Sequence, residues 1–476
     1  MSPSQPPISP EQLAALPPEF QALVRTFIEY YEGRIAVLES RIVELESRLN
    51  KTPQNSSLPP STQHPHAKPA PRQPKSKKQR GGQPGHKKCE RALVPTDDCD
   101  EVQALKPTAC RRCGTKLSGS DPAPLRHQVF ELPEIKPIIT EYQRHRLPCR
   151  CCGETTCGEL PPGVPQGQSG PRLSAFAGLL MAYFRQSKRR TALFLETLLH
   201  QPCCPALTVK MQTQVTAAVR GAYDELAAQL PTQERLSIDE SPTKERQAKA
   251  WLWTFVSKTF TVFALRTTRA ATVLDDLLTD AFEGIVNCDR AKMYWQCGRL
   301  QWCWAHLRRD FQALIDSDAP QAQRLGRDLM RPVRKMFSAW ARYRDGTLTW
   351  RGFRRVMKPI RQEIDSLLLR GVFSGNSRLQ GTCCELSEHG DWLWTYLDHE
   401  GLEPTNNASE RALRHGVIWR KLSFGTQSVG GSRFVETMLT VIETCRQQKR
   451  PVFTYLTAAI QAHFAHDNCP TLLPGM

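Results

Sequence analysis

The chain has no stretch approaching the ~18 consecutive apolar residues that a bilayer span requires. Its opening, MSPSQPPISPEQ, carries neither a basic n-region nor an apolar run, so no secretory signal is expected and the predicted compartment is the cytoplasm. The P-loop pattern, GxxxxGK followed by Ser or Thr, is also missing, which removes the ATP chemistry it serves. Acidic residues are in deficit. The 47 Asp and Glu stand against 64 Lys and Arg, for a formal net charge of +17 and a pI near 9.3. That imbalance favours a polyanion, and nucleic acid is the natural candidate.

At 476 residues the chain is long for one core, and about 150 residues per domain allows roughly three globular units. Near the start, Ile28, Tyr31, Ile35, Leu38, Ile42, Leu45 and Leu49 recur at steps of three and four, with Glu and Arg between them. This pattern predicts about three heptads of coiled coil and self-association; one amphipathic helix docked on the protein's own core is the alternative. After Asn50 the segment KTPQNSSLPPSTQHPHAKPAPRQPKSKKQRGGQPGHKKCER is rich in Pro, Gly, Ser and base and has almost no aliphatics, so it cannot bury a core. Lys68, Arg72, Lys75, Lys77, Lys78, Arg80, Lys87, Lys88 and Arg91 make it a polycation suited to lie along phosphates, or else a solvated linker.

Of the 17 cysteines, eight fall between Cys89 and Cys157, and in a reducing compartment such clustering points to metal before disulfide. Cys110 and Cys113, then Cys149 and Cys152, form two CxxCG turns. Two such turns are what tetrahedral Zn²⁺ requires, with Gly permitting the tight backbone behind each pair. Cys151 and Cys157 leave the fourth ligand open. The intervening VFELPEIKPIITEYQRHRLPC reads as a β-ribbon. Four thiolates leave no coordination position for chemistry, so the zinc should be structural, in a small module presenting Arg111, Arg112, Lys116, Arg144 and Arg146 to DNA.

From Pro171 to Leu230 the pattern is helical, with breaks near Lys188 and at Pro202 and Pro205. It suits either a helix-turn-helix-like DNA-binding bundle or a plain helical linker, with Lys188, Arg189 and Arg190 as a basic turn facing phosphate. Next come RLSIDESPTK, AKAWLWTFVSKT and FTVFALRTT, which read as an antiparallel meander, then the helix ATVLDDLLTDAF. GIVNCDR ends at Asp289, GRLQWCWAHLRRDF runs from strand into helix, and about 100 helical residues precede NNASERALR. This order predicts a ribonuclease H-like core. Asp239 and Asp289 at strand ends, with Glu410 on a helix behind the N-cap-prone Asn406 and Asn407, supply the oxygen set of a two-metal phosphoryl-transfer site. Glu240 should point to the opposite face of its strand.

Several of these strings, in this order, make the chain resemble the IS66 family of bacterial insertion-sequence transposases over essentially its whole length. They are the N-terminal zipper, NSSLPPS at 55–61, GGQPGH at 81–86, the paired CxxCG, the Asp239 strand, CWAHLRRDF at 303–311 and NNASERALR followed by WRKLSFGTQSVGGSRFVETMLTVIETCRQ. The resemblance implies a DDE-type enzyme with Asp239, Asp289 and Glu410 as catalytic residues holding two Mg²⁺ or Mn²⁺ ions. It implies cleavage of the element ends followed by strand transfer, and small accessory proteins encoded by the same element. Ser241 departs from the usual Thr, and Arg290-Ala-Lys from the usual Gly-Tyr or Arg-Tyr. His306 and Arg308 are candidates for phosphate or DNA contact, His306 equally for a satisfied core position; Arg411, Arg414, Arg420 and Lys421 are candidate phosphate clamps.

The expected architecture is a multidomain α/β protein. A coiled coil (1–50) and basic linker (51–105) lead to a small zinc-binding β module (106–160) and a helical DNA-binding bundle (170–232). A ribonuclease H-like core (233–450) with a helical insertion (312–395) and a C-terminal helix and tail (451–476) follow. A nuclease without strand transfer, or a DNA-binding relative without activity, remains the alternative.

Overall fold

A computed structural model describes residues 14–49, 85 and 91–473. The first element, α1 (Pro18–Leu49), is a single helix whose apolar seam lies open: Ile28, Tyr31, Ile35, Leu38, Ile42 and Leu45 are all exposed. The basic residues from Lys68 to Lys88 lie outside the described residues.

In the cysteine-rich segment, β1 (Arg146–Pro148) pairs antiparallel with β2 (Thr155–Cys157). The expected β-ribbon through 129–145 does not form; that stretch has no regular secondary structure. Pro133 and Pro137 remove two ladder donors, and Val129, Leu132, Ile138 and Ile139 stand exposed without a facing surface to cover them.

Three helices follow: α2 (Pro171–Ala182), α3 (Lys188–Leu199) and α4 (Pro205–Ala228). Pro begins α2 and α4, where its missing N–H costs nothing and its φ suits the first turn. The Ser187 side chain caps α3 by accepting from Arg190 N. Ala177, Leu180, Leu195 and Met211 form a small apolar cluster among these helices. Further along α4, Val215, Val219, Tyr223 and Leu226 belong to the main core together with the sheet.

That sheet has five strands: β3 (Arg235–Glu245), β4 (Ala248–Val256), β5 (Thr261–Arg266), β6 (Ile285–Cys288) and β7 (Leu300–Trp302), in the order β5-β4-β3-β6-β7. The first three make the antiparallel meander, and β6 and β7 continue parallel to β3. The short helix α5 (Thr272–Leu278) makes the crossover to β6. β6 and β7 are buried at every position, as expected of parallel strands covered on both faces.

After β7 come α6 (Trp304–Ile315), α7 (Pro320–Arg344), α8 (Trp350–Val372), α9 (Ser377–Glu388) and α10 (Gly390–Trp394). Trp304 stacks obliquely on Trp394 at 4.8 Å and donates from Nε1 to Leu393 O at 2.7 Å, fastening this helical excursion to the sheet. The chain returns in α11 (Asn407–Ser423), α12 (Val429–Gln447) and α13 (Val452–Ala465). α12 packs on α4 and β5, and α11 lies across β3 and β4. Among the described residues no helix is long and apolar enough to cross a membrane.

Candidate active site and metal centres

Register decides where the two aspartates meet. β3 and β6 pair in parallel with Arg235 opposite Ile285, Leu236 opposite Val286 and Ser237 opposite Asn287. Asp239 stands on β3 two residues beyond this paired stretch and Asp289 directly follows the end of β6, so extending the register sets the two side by side. Each aspartate ties one oxygen to nearby backbone. Asp239 Oδ1 accepts from Glu240 N at 2.9 Å, and Asp289 Oδ1 accepts from Ala291 N at 2.8 Å.

Glu410 reaches this region because the start of α11 is pinned to the strand ends. Asn406 sits at the N-cap, but its side chain caps nothing; Nδ2 donates instead to Ile238 O at 2.7 Å, one residue before Asp239. Its backbone N donates to Cys303 Sγ at 3.1 Å, just beyond β7. Asn406 thus holds the expected N-cap position, but its side chain makes a buried inter-element bond, worth more than an end N–H that water can serve. Asn287 fastens the approaching loop in the same way, donating to Glu403 O at 2.8 Å and Thr405 O at 3.1 Å.

The electrostatics follow from this convergence. Burial, then Glu240, Asp289 and Glu410, push the Asp239 carboxyl well above its ordinary range. Burial also raises Glu410, which Arg309 and Arg414 oppose and Asp289 reinforces. Glu240 lies on the other face, as alternation predicts, where Arg269 grips it at 2.5 Å and Tyr294 donates to its second oxygen. It is thus a partnered structural acid.

His306 stands 3.7 Å from Glu410 through Nδ1, an atom that is buried and without a hydrogen-bond partner. Burial, with Arg309 and Arg290 beside it, drives its pKa down to about 3, so the ring is neutral. Arg309 approaches Glu410 at 3.9 Å. Cys303, His306 and Glu410 bring one ligand atom each within 4.8 Å of one another; among the described residues they alone form such a metal-capable group of three or more. Asp239 and Asp289 lie outside that group and are coupled to Glu410 through their charges.

Of the cationic candidates, Arg411, Arg414 and Lys421 are exposed on α11. Arg420 is not available to phosphate. Its Nη1 donates to Ser241 Oγ at 3.1 Å and also to Pro242 O, tying α11 to β3. Arg308 is exposed with its guanidinium 5.8 Å from the Phe337 ring centroid. Arg189 and Arg190 are exposed, whereas Lys188 turns inward to Gln212 and to Met181 Sδ, and burial lowers its pKa to about 8. The expected basic turn therefore presents two cations, not three. Arg91 lies over the Phe130 ring at 4.4 Å.

Sequence reading missed Arg309, Tyr294, Arg269 and the link made by Arg290, which pairs with Asp310 at 3.1 Å and with Glu385 of α9 at 3.2 Å. No sequence signal singled these residues out. The ion pairs make Arg290 a brace between the Asp289 loop and the helical excursion.

The two cysteine turns have matching geometry. Gly114 N donates to Cys110 O at 2.9 Å and Gly153 N to Cys149 O at 2.8 Å, with positive φ of 74° and 77° at the two glycines. Hydrogen bonds from Thr115, then Cys110, lower the Cys113 thiol; those from Cys152 and Cys151 lower Cys149. Stabilised thiolates are the form that metal requires. Each pair is formed within itself, and the two pairs do not converge as one group.

Comparison with known proteins agrees with this layout. The family described as zinc-finger binding domain of transposase IS66 matches residues 107–153, which supports a structural zinc there. A family of unknown function, DUF6444, matches residues 7–92. The uncharacterized protein y4qI of Sinorhizobium fredii is 25% identical over 250 residues, which cover 45% of this chain and 44% of that relative. The chain thus spans less than half of the relative's length. The Transposase IS66 family matches residues 170–433, more than half of the chain and the whole region from the three-helix unit to the end of α11, and this protein belongs to that family.

Proposed function

We propose that the protein is a DNA transposase in which Asp239, Asp289 and Glu410 are the catalytic carboxylates of a ribonuclease H-like core. The supporting observation is the parallel register of β3 with β6, which when extended sets Asp239 beside Asp289 just past the end of β6, with Asn406 fastening the Glu410 helix beside Asp239. The strand order β5-β4-β3-β6-β7, antiparallel then parallel, supports the fold reading.

The donor chemistry fits hard divalent cations: Asp289 raises the cost of ionising both Asp239 and Glu410, and Glu410 that of Asp239, and cation charge would relieve it. Two Mg²⁺ or Mn²⁺ ions would be held by Asp239, Asp289 and Glu410, and when bound they would supply charge stabilisation to a phosphodiester and acidify a water. The chain's own groups do the rest. Asp239 and Asp289 set the position of the scissile phosphate at the neighbouring ends of β3 and β6. Arg309 and Arg414 keep positive charge beside it, and neutral His306 lines the wall without adding charge. Cleavage at an element end frees a 3′-hydroxyl, which attacks a target phosphodiester in line and expels its 3′ oxygen, so no ATP is consumed.

The remaining parts fit this work. Cys110, Cys113, Cys149 and Cys152 would hold the structural zinc once the two turns close on it; the side-chain hydrogen bond between Cys149 and Cys152 supports Cys152 over Cys151 or Cys157 as the fourth ligand. Arg189, Arg190, Arg411, Arg414 and Lys421, with the basic segment around Lys75, Lys77, Lys78 and Arg80, contact phosphate. The open seam of α1 pairs with a second copy, and the protein acts on chromosomal DNA in the cytoplasm, with accessory proteins of the element as further partners. The test is nicking of an end-containing duplex in Mg²⁺: wild type cuts and Asp239→Asn does not. Equal cutting by both removes the assignment.

A further inference from the structure

On the exposed loop that follows the Glu410 helix, Phe424 has 78% of its surface open to solvent. Its backbone is left-handed, with φ 59°, at the C-cap of α11. Gly or Asn ordinarily occupies that position, and among the described residues Phe424 is the one apolar residue in the positive-φ set. Bulky side chains in this conformation are strained, and such strain collects where a side chain is held for use.

The loop is fixed in place. Thr426 N donates to Lys244 O at 2.9 Å, and Arg246 N donates to Thr426 O at 2.6 Å, stitching the loop to the tip of the β3–β4 hairpin. Gly425, with φ 109°, lies so close that a Cβ would stand 2.4 Å from Lys244 O. The ring is therefore held out by a clamped backbone. Beside it, with exposed Leu422 and Val429, stand three cations: Lys244, Arg246 and Lys421 are exposed and without ion-pair partners among the described residues. An apolar partner protein would have to bury these charges, whereas a nucleic-acid strand would neutralise them.

Position relates the patch to the carboxylates. Glu410, Arg414 and Lys421 recur on one face of α11 at helical spacing, and Phe424 comes one turn later. Fourteen residues at the α-helical rise place it about 21 Å from Glu410. Independently, the six residues from Asp239 to the hairpin tip at Glu245 span about 20 Å of strand. The two paths end together, and about 20 Å corresponds to roughly six base pairs of duplex.

We propose that Phe424 is a base-stacking residue that contacts the DNA about six base pairs from the phosphate held at the carboxylates, with Lys244, Arg246 and Lys421 gripping the flanking backbone. A nucleobase offers the ring an aromatic face regardless of sequence, and partial unstacking of one step lets the duplex follow the surface from hairpin tip to active site. This inference rests on the transposase reading.

The experiment uses the full chain, Ca²⁺ in place of Mg²⁺, and an element-end duplex carrying a single 2-aminopurine placed in turn at positions three to nine base pairs from the cleaved bond. Wild type should brighten the probe at one position near the sixth. Phe424→Asn, which suits the left-handed backbone and so should fold at least as well, should lose the signal and bind about tenfold more weakly; Phe424→Tyr should keep it. If wild type does not bind the end duplex at all, the transposase reading falls and this proposal with it. Binding without brightening at any position, or brightening that persists in Phe424→Asn, overturns the stacking role alone. A change in sedimentation mass in Phe424→Asn with an unaltered probe signal also overturns it and marks the patch as a protein interface.

Discussion

Burial and the neighbouring carboxylates together raise the cost of ionising Asp239. Its folded pKa lies above its unfolded value, so between those two values the folded chain holds a proton that the unfolded chain has lost. Stability without added divalent ions therefore falls as pH rises from near the ordinary Asp range through the raised value. Asp239→Asn removes that dependence. Melting curves across pH 4 to 8 should show the variant gaining on wild type as pH increases, and added Mg²⁺ should stabilise wild type only. A constant gap between the two across that range contradicts the coupling. His306, already neutral above about pH 3, should contribute no inflection to the rate near pH 6 to 7.

Among elements, α11 carries Glu410. It lies on β4 so closely that a Cβ on Gly416 would come within 2.2 Å of Leu252 Cδ2. Gly416→Ala should overpack this contact, costing about 1–3 kcal/mol in denaturant titration. It should also reduce nicking disproportionately, because the same displacement carries Glu410 away from the strands. Leu252→Ala in the same chain should restore part of both, and no recovery would mean that the close approach is not the cause. The zipper seam of α1 makes a separate claim. Ile35→Glu with Ile42→Glu should lower the sedimentation mass if the exposed seam pairs copies, and an unchanged mass rejects that pairing.

For the whole molecule, the buried Glu436 of α12 joins the three-helix unit to the sheet. Its carboxylate receives Leu265 N at 3.0 Å, Arg433 at 2.6 Å, Arg220 of α4 at 3.6 Å and Arg266 of β5 at 3.7 Å. Removing one member of so buried a set leaves its cations uncompensated. Glu436→Ala should destabilise by about 3–5 kcal/mol and reduce unfolding to separate steps for helices and sheet, read by calorimetry. A single transition near the wild-type temperature would show that apolar packing of α4 and α12 alone unites them.

Much of this was legible in the chain itself. The periodicities marked the three helices after Pro171, the meander and the long helical excursion, because each buries a face whose pattern is local. The acidic residues were legible through their strings, as were the paired cysteine turns, whose geometry depends on residues within five positions. The stretch 129–145 misled, since alternating apolar residues make a strand only when a partner covers them, and here none does. Tertiary structure alone decided the register that levels Asp239 with Asp289, the diversion of Asn406 from capping α11 to holding Ile238, and the turning inward of Lys188 and Arg420. Each depends on which distant backbone or side chain is within about 3 Å, and no local pattern encodes that distance.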